Sequence, residues 1–129
     1  MVKGAIAEVK VKSIEWLSKD AEEALLCITD GVYECLVYDQ PCDLNVGSLV
    51  YEPLETLDAC GAVRVNESKI GFSKMRGYFD YDITAEVVDT NAEIVKVGNI
   101  LIDIQYSLPG DIHQGDIVNF TCNRLVFMG

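Results

Sequence analysis

The 129-residue chain has one histidine, one tryptophan and three prolines, and few cations: Lys and Arg number 10 against 21 Asp and Glu. The formal net charge of −11 excludes a general affinity for phosphate backbones, which clustered Lys and Arg carry. It equally opposes adhesion to anionic membranes. One imidazole and no Cys-x-x-Cys leave the paired spacings of zinc sites unfilled, so no metal is assigned. No apolar run approaches the roughly 18 to 20 residues of a membrane span. Met1-Val2-Lys3-Gly4 is not followed by the apolar run of a signal peptide, so the cytoplasm is the expected compartment. Phosphate loops, dinucleotide glycine motifs, nucleophile elbows and metalloprotease helices are missing. No catalytic residue and no cofactor is assigned, and the expectation leans away from an enzyme.

What is present is apolar sequence in short runs. Half of the residues are hydrophobic, enough for a core, and the length suits a single domain spanning 1–129. Val, Ile, Leu and aromatic residues recur between Gly, Pro, Asn and Asp, which is the pattern of strands. The expected strands cover 5–14, 24–29, 32–38, 48–54, 71–78, 83–88, 93–97, 100–106 and 116–127. Asp30-Gly31 and Gly98-Asn99 read as hairpin turns. Residues 13–26 carry Trp16, Leu17, Ala21, Ala24 and Leu25 at helical spacing, which suits one short helix; a strand ending in a Ser18-Lys19-Asp20 turn is the alternative. Cys27, Cys35 and Cys122 sit in strand-like runs, where reduced thiols serve as small core residues.

Sliding the chain by 68 positions lays Tyr38, Pro41, Asp43, Gly47 and Val50 on Tyr106, Pro109, Asp111, Gly115 and Val118. The hairpin Asp30-Gly31 falls on Gly98-Asn99. The shared element reads Pro-x-Asp-[Leu/Ile]-x-x-Gly-x-[Leu/Ile]-Val. In each copy the Pro ends a strand, the Asp is expected to tighten a turn, and the Gly to take a positive φ. The expected fold is therefore all-β: a small barrel or sandwich with internal twofold duplication. Its halves, about 1–60 and 78–129, would be joined by a basic and aromatic segment, 61–77. The second copy, Pro109-Gly110-Asp111 through Gly115-Asp116-Ile117-Val118, resembles the closing turn and strand of OB-type small barrels. That resemblance implies a barrel class, and by analogy an oligonucleotide- or oligosaccharide-binding face. The first copy departs from it at Cys42 and Ser48.

Arg64, Lys69, Lys74 and Arg76 lie within thirteen residues opposed only by Glu67, so 64–76 carries four cations against one acid, or +3, and the rest of the chain −14. Tyr78 and Tyr81 follow. Cations beside rings could hold an anionic ligand, with Asp111 and His113 from the second turn completing a site between the halves. The competing reading is a solvated connection with inward-facing rings. Trp16 would be a partner hot spot if exposed. Glu22, Glu23, Asp80 and Asp82 belong to acidic runs that a basic protein partner would complement. The leading expectation is a non-enzymatic protein-binding module of the inhibitor, immunity or assembly-factor kind. A small-ligand barrel or enzyme with its site between the halves, and an OB-type oligonucleotide or oligosaccharide binder, are the alternatives. Nucleic acid and membranes are the disfavoured partners.

Overall fold

The computed structural model describes residues 8–66, 69–75 and 79–127. These residues are all sheet and loop, with no helix. The strands are β1 (Lys10–Ser18), β2 (Glu23–Thr29), β3 (Glu34–Asp39), β4 (Leu54–Leu57), β5 (Cys60–Arg64), β6 (Gly71–Lys74), β7 (Tyr81–Asp89), β8 (Ile94–Val97), β9 (Ile100–Asp103), β10 (Ile117–Cys122) and β11 (Arg124–Val126). Of the two readings of 13–26, the short helix does not form; the strand ending in a turn at Ser18-Lys19-Asp20 does, as the β1–β2 hairpin. Its Trp16 pairs with Ala24 and its Glu15 with Leu25, so residues set at helical spacing meet across strands.

All eleven strands form one sheet in the order β1-β2-β3-β11-β4-β9-β8-β7-β10-β5, with β6 also on β7. The sheet is not closed into the expected barrel; β1 and β5 end the path. The segment that would extend it beyond β1 makes a single bridge, Lys10 to Leu49. Residues 41–53 hold Gly47 at φ 92° and end in Pro53, which cannot donate to a ladder.

Burial alternates along β3, β7 and β10, so each strand puts one face inward. A single buried cluster gathers Val11, Leu26, Ile28, Val37, Leu54, Ile83, Val95, Ile102, Phe120 and Leu125. Burial of these side chains contributes about 1.5–3 kcal/mol each before entropy is counted.

The hydrogen bonds repeat across the chain. Asn45 N donates to Ser48 Oγ at 2.9 Å, and 68 residues later His113 N donates to Asp116 Oδ2 at 2.8 Å. Ser48 N donates to Asn45 O and Asp116 N to His113 O. Gly47 N donates to Val11 O and Gly115 N to Val87 O. The two glycines have φ of 92° and 91°. The first strands correspond at an offset of 76: Lys10 bridges Leu49 as Glu86 pairs with Ile117. A bulge falls between Val11 and Ser13 and another between Val87 and Asp89. At the centre of the sheet β11 and β4 are antiparallel. Each also pairs in parallel with a strand of the other half: Val126 with Tyr38 and Leu54 with Ile102.

One expected detail differs. Asp43 and Asp111 are exposed and do not tighten their turns; Ser48 and Asp116 accept those bonds instead. The residue where the first copy departs from the second thus does the same work with a different oxygen.

Candidate functional site

The residues singled out in 64–81 separate in space. Arg64 is on β5 and Lys74 on β6, with β10 and β7 lying between. Arg64 Nη1 donates to Asp111 O at 3.1 Å and lies 3.7 Å from Asp116 Oδ2. The guanidinium thus clasps the turn that carries Asp111 and His113. Lys69 lines a polar cleft of about 330 Å³ with Gly71, Phe72, Ser73, Asp82 and Thr84. Tyr81 is a core residue, 4% exposed. Its ring meets Phe72 edge-on at 5.7 Å, and its hydroxyl oxygen accepts from Leu36 N at 2.8 Å. Arg76 and Tyr78 lie outside the described residues.

The acidic positions divide as well. Asp82 accepts from Asn119 Nδ2 at 2.6 Å, and Asp80 O accepts from Met75 N. Glu23 accepts the Tyr38 hydroxyl, and that bond pushes the Tyr38 phenol above its ordinary value. Glu22 is exposed at φ 57° in the turn of the β1–β2 hairpin.

That hairpin is the most exposed apolar structure built from the predicted residues. Trp16 is 39% and Leu17 41% exposed. β1 is an end strand, and among the described residues nothing pairs with its outer edge beyond Val11. Its base is held: Gln40 Nε2 donates to Ala21 O, and Cys42 N to Glu22 O at 2.9 Å. Between matched pairs the β1–β2 hairpin is nine residues longer than the β7–β8 hairpin: Val11 pairs with Ile28, 17 positions on, where Val87 pairs with Val95, 8 positions on. Sequence reading named Trp16, Glu22 and Glu23 but missed this excess, because residues 8–11 and 84–87 share only Val11 and Val87 at matched positions.

A second feature escaped sequence reading. A cleft of about 360 Å³ opens where the start of β1 and residues 49–51 face the β8–β9 hairpin, with Val9, Leu49, Tyr51, Lys96 and Leu101 in its walls. Tyr51 is 80% exposed.

All five cysteines are free thiols. Burial raises the Cys35 thiol far above its ordinary value and takes Cys122 up to about 12, which makes both poor nucleophiles. Among the described residues no group of three His, Cys, Asp or Glu is placed to hold a metal, and no helix is long and apolar enough to cross a membrane. The chain matches no family model, no curated protein and no solved structure.

Proposed function

We propose that the protein is a non-enzymatic binding module that engages a basic protein partner through the β1–β2 hairpin. The observation that carries this reading is the nine-residue excess of that hairpin over its β7–β8 counterpart, with Trp16 and Leu17 exposed on it. An element that exceeds its counterpart, and that exposes a large ring beside a free strand edge, fits recognition better than stability. Its charge agrees: across 12–23, Glu15, Asp20, Glu22 and Glu23 outnumber Lys12 and Lys19, for a net −2. A cationic partner would be steered to it and held by the apolar pair.

The repeated turn bonds, matched bulges and crossed parallel pairings support a duplicated architecture in which each half lends a strand to the other. The OB-type comparison finds support in the open, polar face carrying Lys69, Ser73, Asp82 and Thr84. That cleft favours a second reading, a neutral polyhydroxylated ligand, since Asp82 beside Lys69 suits hydroxyl groups better than phosphates. A thermal-shift titration with oligosaccharides and, separately, oligonucleotides tests it; no shift with either removes it.

The main test is affinity capture with the wild-type chain and a Trp16→Ser/Leu17→Ser variant, at low and high salt. A basic partner retained by the wild type, lost at high salt, and weakened about tenfold or more in the variant is expected. A partner set indifferent to both the variant and the salt overturns the reading.

A further inference from the structure

Lys96 lies on β8 between Glu86 of β7 and Leu101 of β9, in one cross-strand row. Burial alternates along β8, with Val95 and Val97 inward, so this row stands on the outward face. A carboxylate directly across the strand is the natural partner of such a lysine. Among the described residues, however, no ion pair engages Lys96. Lys96 and Gly98 form a wall shared by two clefts. One, of about 250 Å³, is completed by Tyr33, Ile70 and Glu86. The other is the cleft of about 360 Å³ beside the start of β1, where the lysine shares the walls with Val9, Leu49, Leu101 and Tyr51. Among the described residues, Glu86 lines the first cleft and has no place in the second.

We propose that the larger cleft binds a small amphipathic monocarboxylate, a single negative charge on an apolar tail of a few carbons. The tail lies on Val9, Leu49 and Leu101 and under the Tyr51 ring. The carboxylate pairs with the Lys96 ammonium. Apolar walls with one convergent polar group are the ordinary make-up of a small-molecule site, and the volume falls within the usual range of about 300–1,000 Å³. One cation sets the charge of the ligand at minus one. The net charge of −11 repels phosphates and polyanions more strongly than a monoanion, and a compact phosphate would leave the apolar walls unused. Glu8 stands in the same wall but is exposed, where water and salt screen its repulsion. The inference rests on Lys96 and the cleft; the partner of the β1–β2 hairpin has no part in it.

The experiment titrates sodium butyrate, sodium hexanoate, hexan-1-ol and hexylamine separately into the full ¹⁵N-labelled chain at constant ionic strength. Amide shifts at Gly98, Leu101 and Tyr51 that saturate with a hexanoate dissociation constant below about 5 mM are expected. Butyrate should bind about tenfold more weakly, since each buried methylene is worth about a factor of three or four. Hexan-1-ol keeps the tail without the charge and should bind at least about threefold more weakly than hexanoate, and hexylamine more weakly still. Lys96→Met should bring hexanoate down to the level of hexan-1-ol and leave hexan-1-ol unchanged, whereas a merely structural lysine would lower both alike. Trp16→Ser should leave all four affinities unmoved, which keeps this test separate from that of the hairpin. Equal affinity for hexanoate and hexan-1-ol, tighter binding of hexylamine, no dependence on chain length, shifts confined to other surfaces, or no shift up to about 50 mM overturns the proposal. Should Lys96→Met fail to fold, Tyr51→Ala gives the same reading at a residue that is 80% exposed. It weakens hexanoate at least about threefold if the cleft is the site, and unchanged affinity counts against it.

Discussion

The Asp30 carboxylate accepts a hydrogen bond from the backbone N–H of Asn99 at 2.8 Å. The two residues belong to the hairpin turns that align when the sequence is slid by 68, so the turns that correspond are also the turns that touch. The other oxygen of Asp30 accepts from Val32 N at 2.9 Å and Tyr33 N at 2.8 Å, and the residue is 5% exposed.

Acid should act through this carboxylate. Burial alone would raise its pKa, but the amides of Tyr33, Asn99, Val32 and Asp30 itself hold it below the ordinary carboxylate value. A depressed pKa in the folded state contributes stability above the unfolded value, and that contribution is lost as pH falls through the folded one. The wild type should therefore lose stability below about pH 4. Asp30→Asn presents an amide N–H₂ to the Asn99 N–H and should cost about 2 kcal/mol at neutral pH, with a shallower acid dependence. Urea midpoints from pH 3 to 7 check both; parallel curves for the two proteins refute the assignment.

Gly98 stands on the other side of this contact. It has φ 61°, and a Cβ there would lie 2.6 Å from the Tyr33 ring and collide with Asp30 Oδ2. Gly98→Ala should cost about 2–4 kcal/mol from backbone strain and the clash together. Gly110→Ala, in the Pro109–Asp111 turn with ordinary φ and nothing within 4 Å of the added methyl, should stay within about 0.5 kcal/mol. Thermal unfolding of the two variants decides it, and equal losses would argue against the contact.

The turn glycines and the hairpin at Gly98-Asn99 were legible because their signal is local: Gly47 and Gly115 take positive φ, and Val97 pairs directly with Ile100. Asp30-Gly31 gave the turn but misplaced its length, since Thr29 pairs with Glu34 across four residues, within which Asp30 Oδ1 accepts from Val32 N and Tyr33 N. β5 and β11 were invisible as separate strands. Each has five residues or fewer, too short for periodicity, and their partners are distant in sequence. Arg64 reaches the turn that carries His113 because β5 pairs with β10, a long-range pairing that no local signal encodes. The open cleft was hidden because it is defined by the place of one strand relative to another, which no single segment encodes.

Interchange at the turn acceptors follows from the matched bonds. Ser48 and Asp116 each accept from the N–H three residues before. Ser48→Asp should therefore hold stability within about 0.5 kcal/mol, and Ser48→Ala should lose about 1 kcal/mol, as helix and turn caps do. Asp116→Ser should lose slightly more than Ser48→Asp, because Asp116 also faces Arg64 at 3.7 Å, an exposed pair worth less than about 1 kcal/mol. Denaturant midpoints for the three variants check the order. A Ser48→Asp loss equal to that of Ser48→Ala would show that the two turns are not equivalent.

Tyr81 joins the halves by a different bond. Its hydroxyl oxygen takes the Leu36 N–H at 2.8 Å, across 45 residues of chain, on the edge of β3 that β11 leaves uncovered at that point. Tyr81→Phe keeps the ring against Phe72 but strands that N–H, which should cost about 1–3 kcal/mol. Burial pushes the phenol up to about 12. A raised folded pKa contributes stability in full below the unfolded value and loses it as pH rises through the folded value. The wild type should therefore weaken between about pH 10 and pH 12, and Tyr81→Phe should lack that part of the decline. Alkaline unfolding curves for the pair, with the other tyrosines common to both, isolate the difference. Identical alkaline slopes would place the ionising phenol elsewhere and leave Tyr81 a packing residue only.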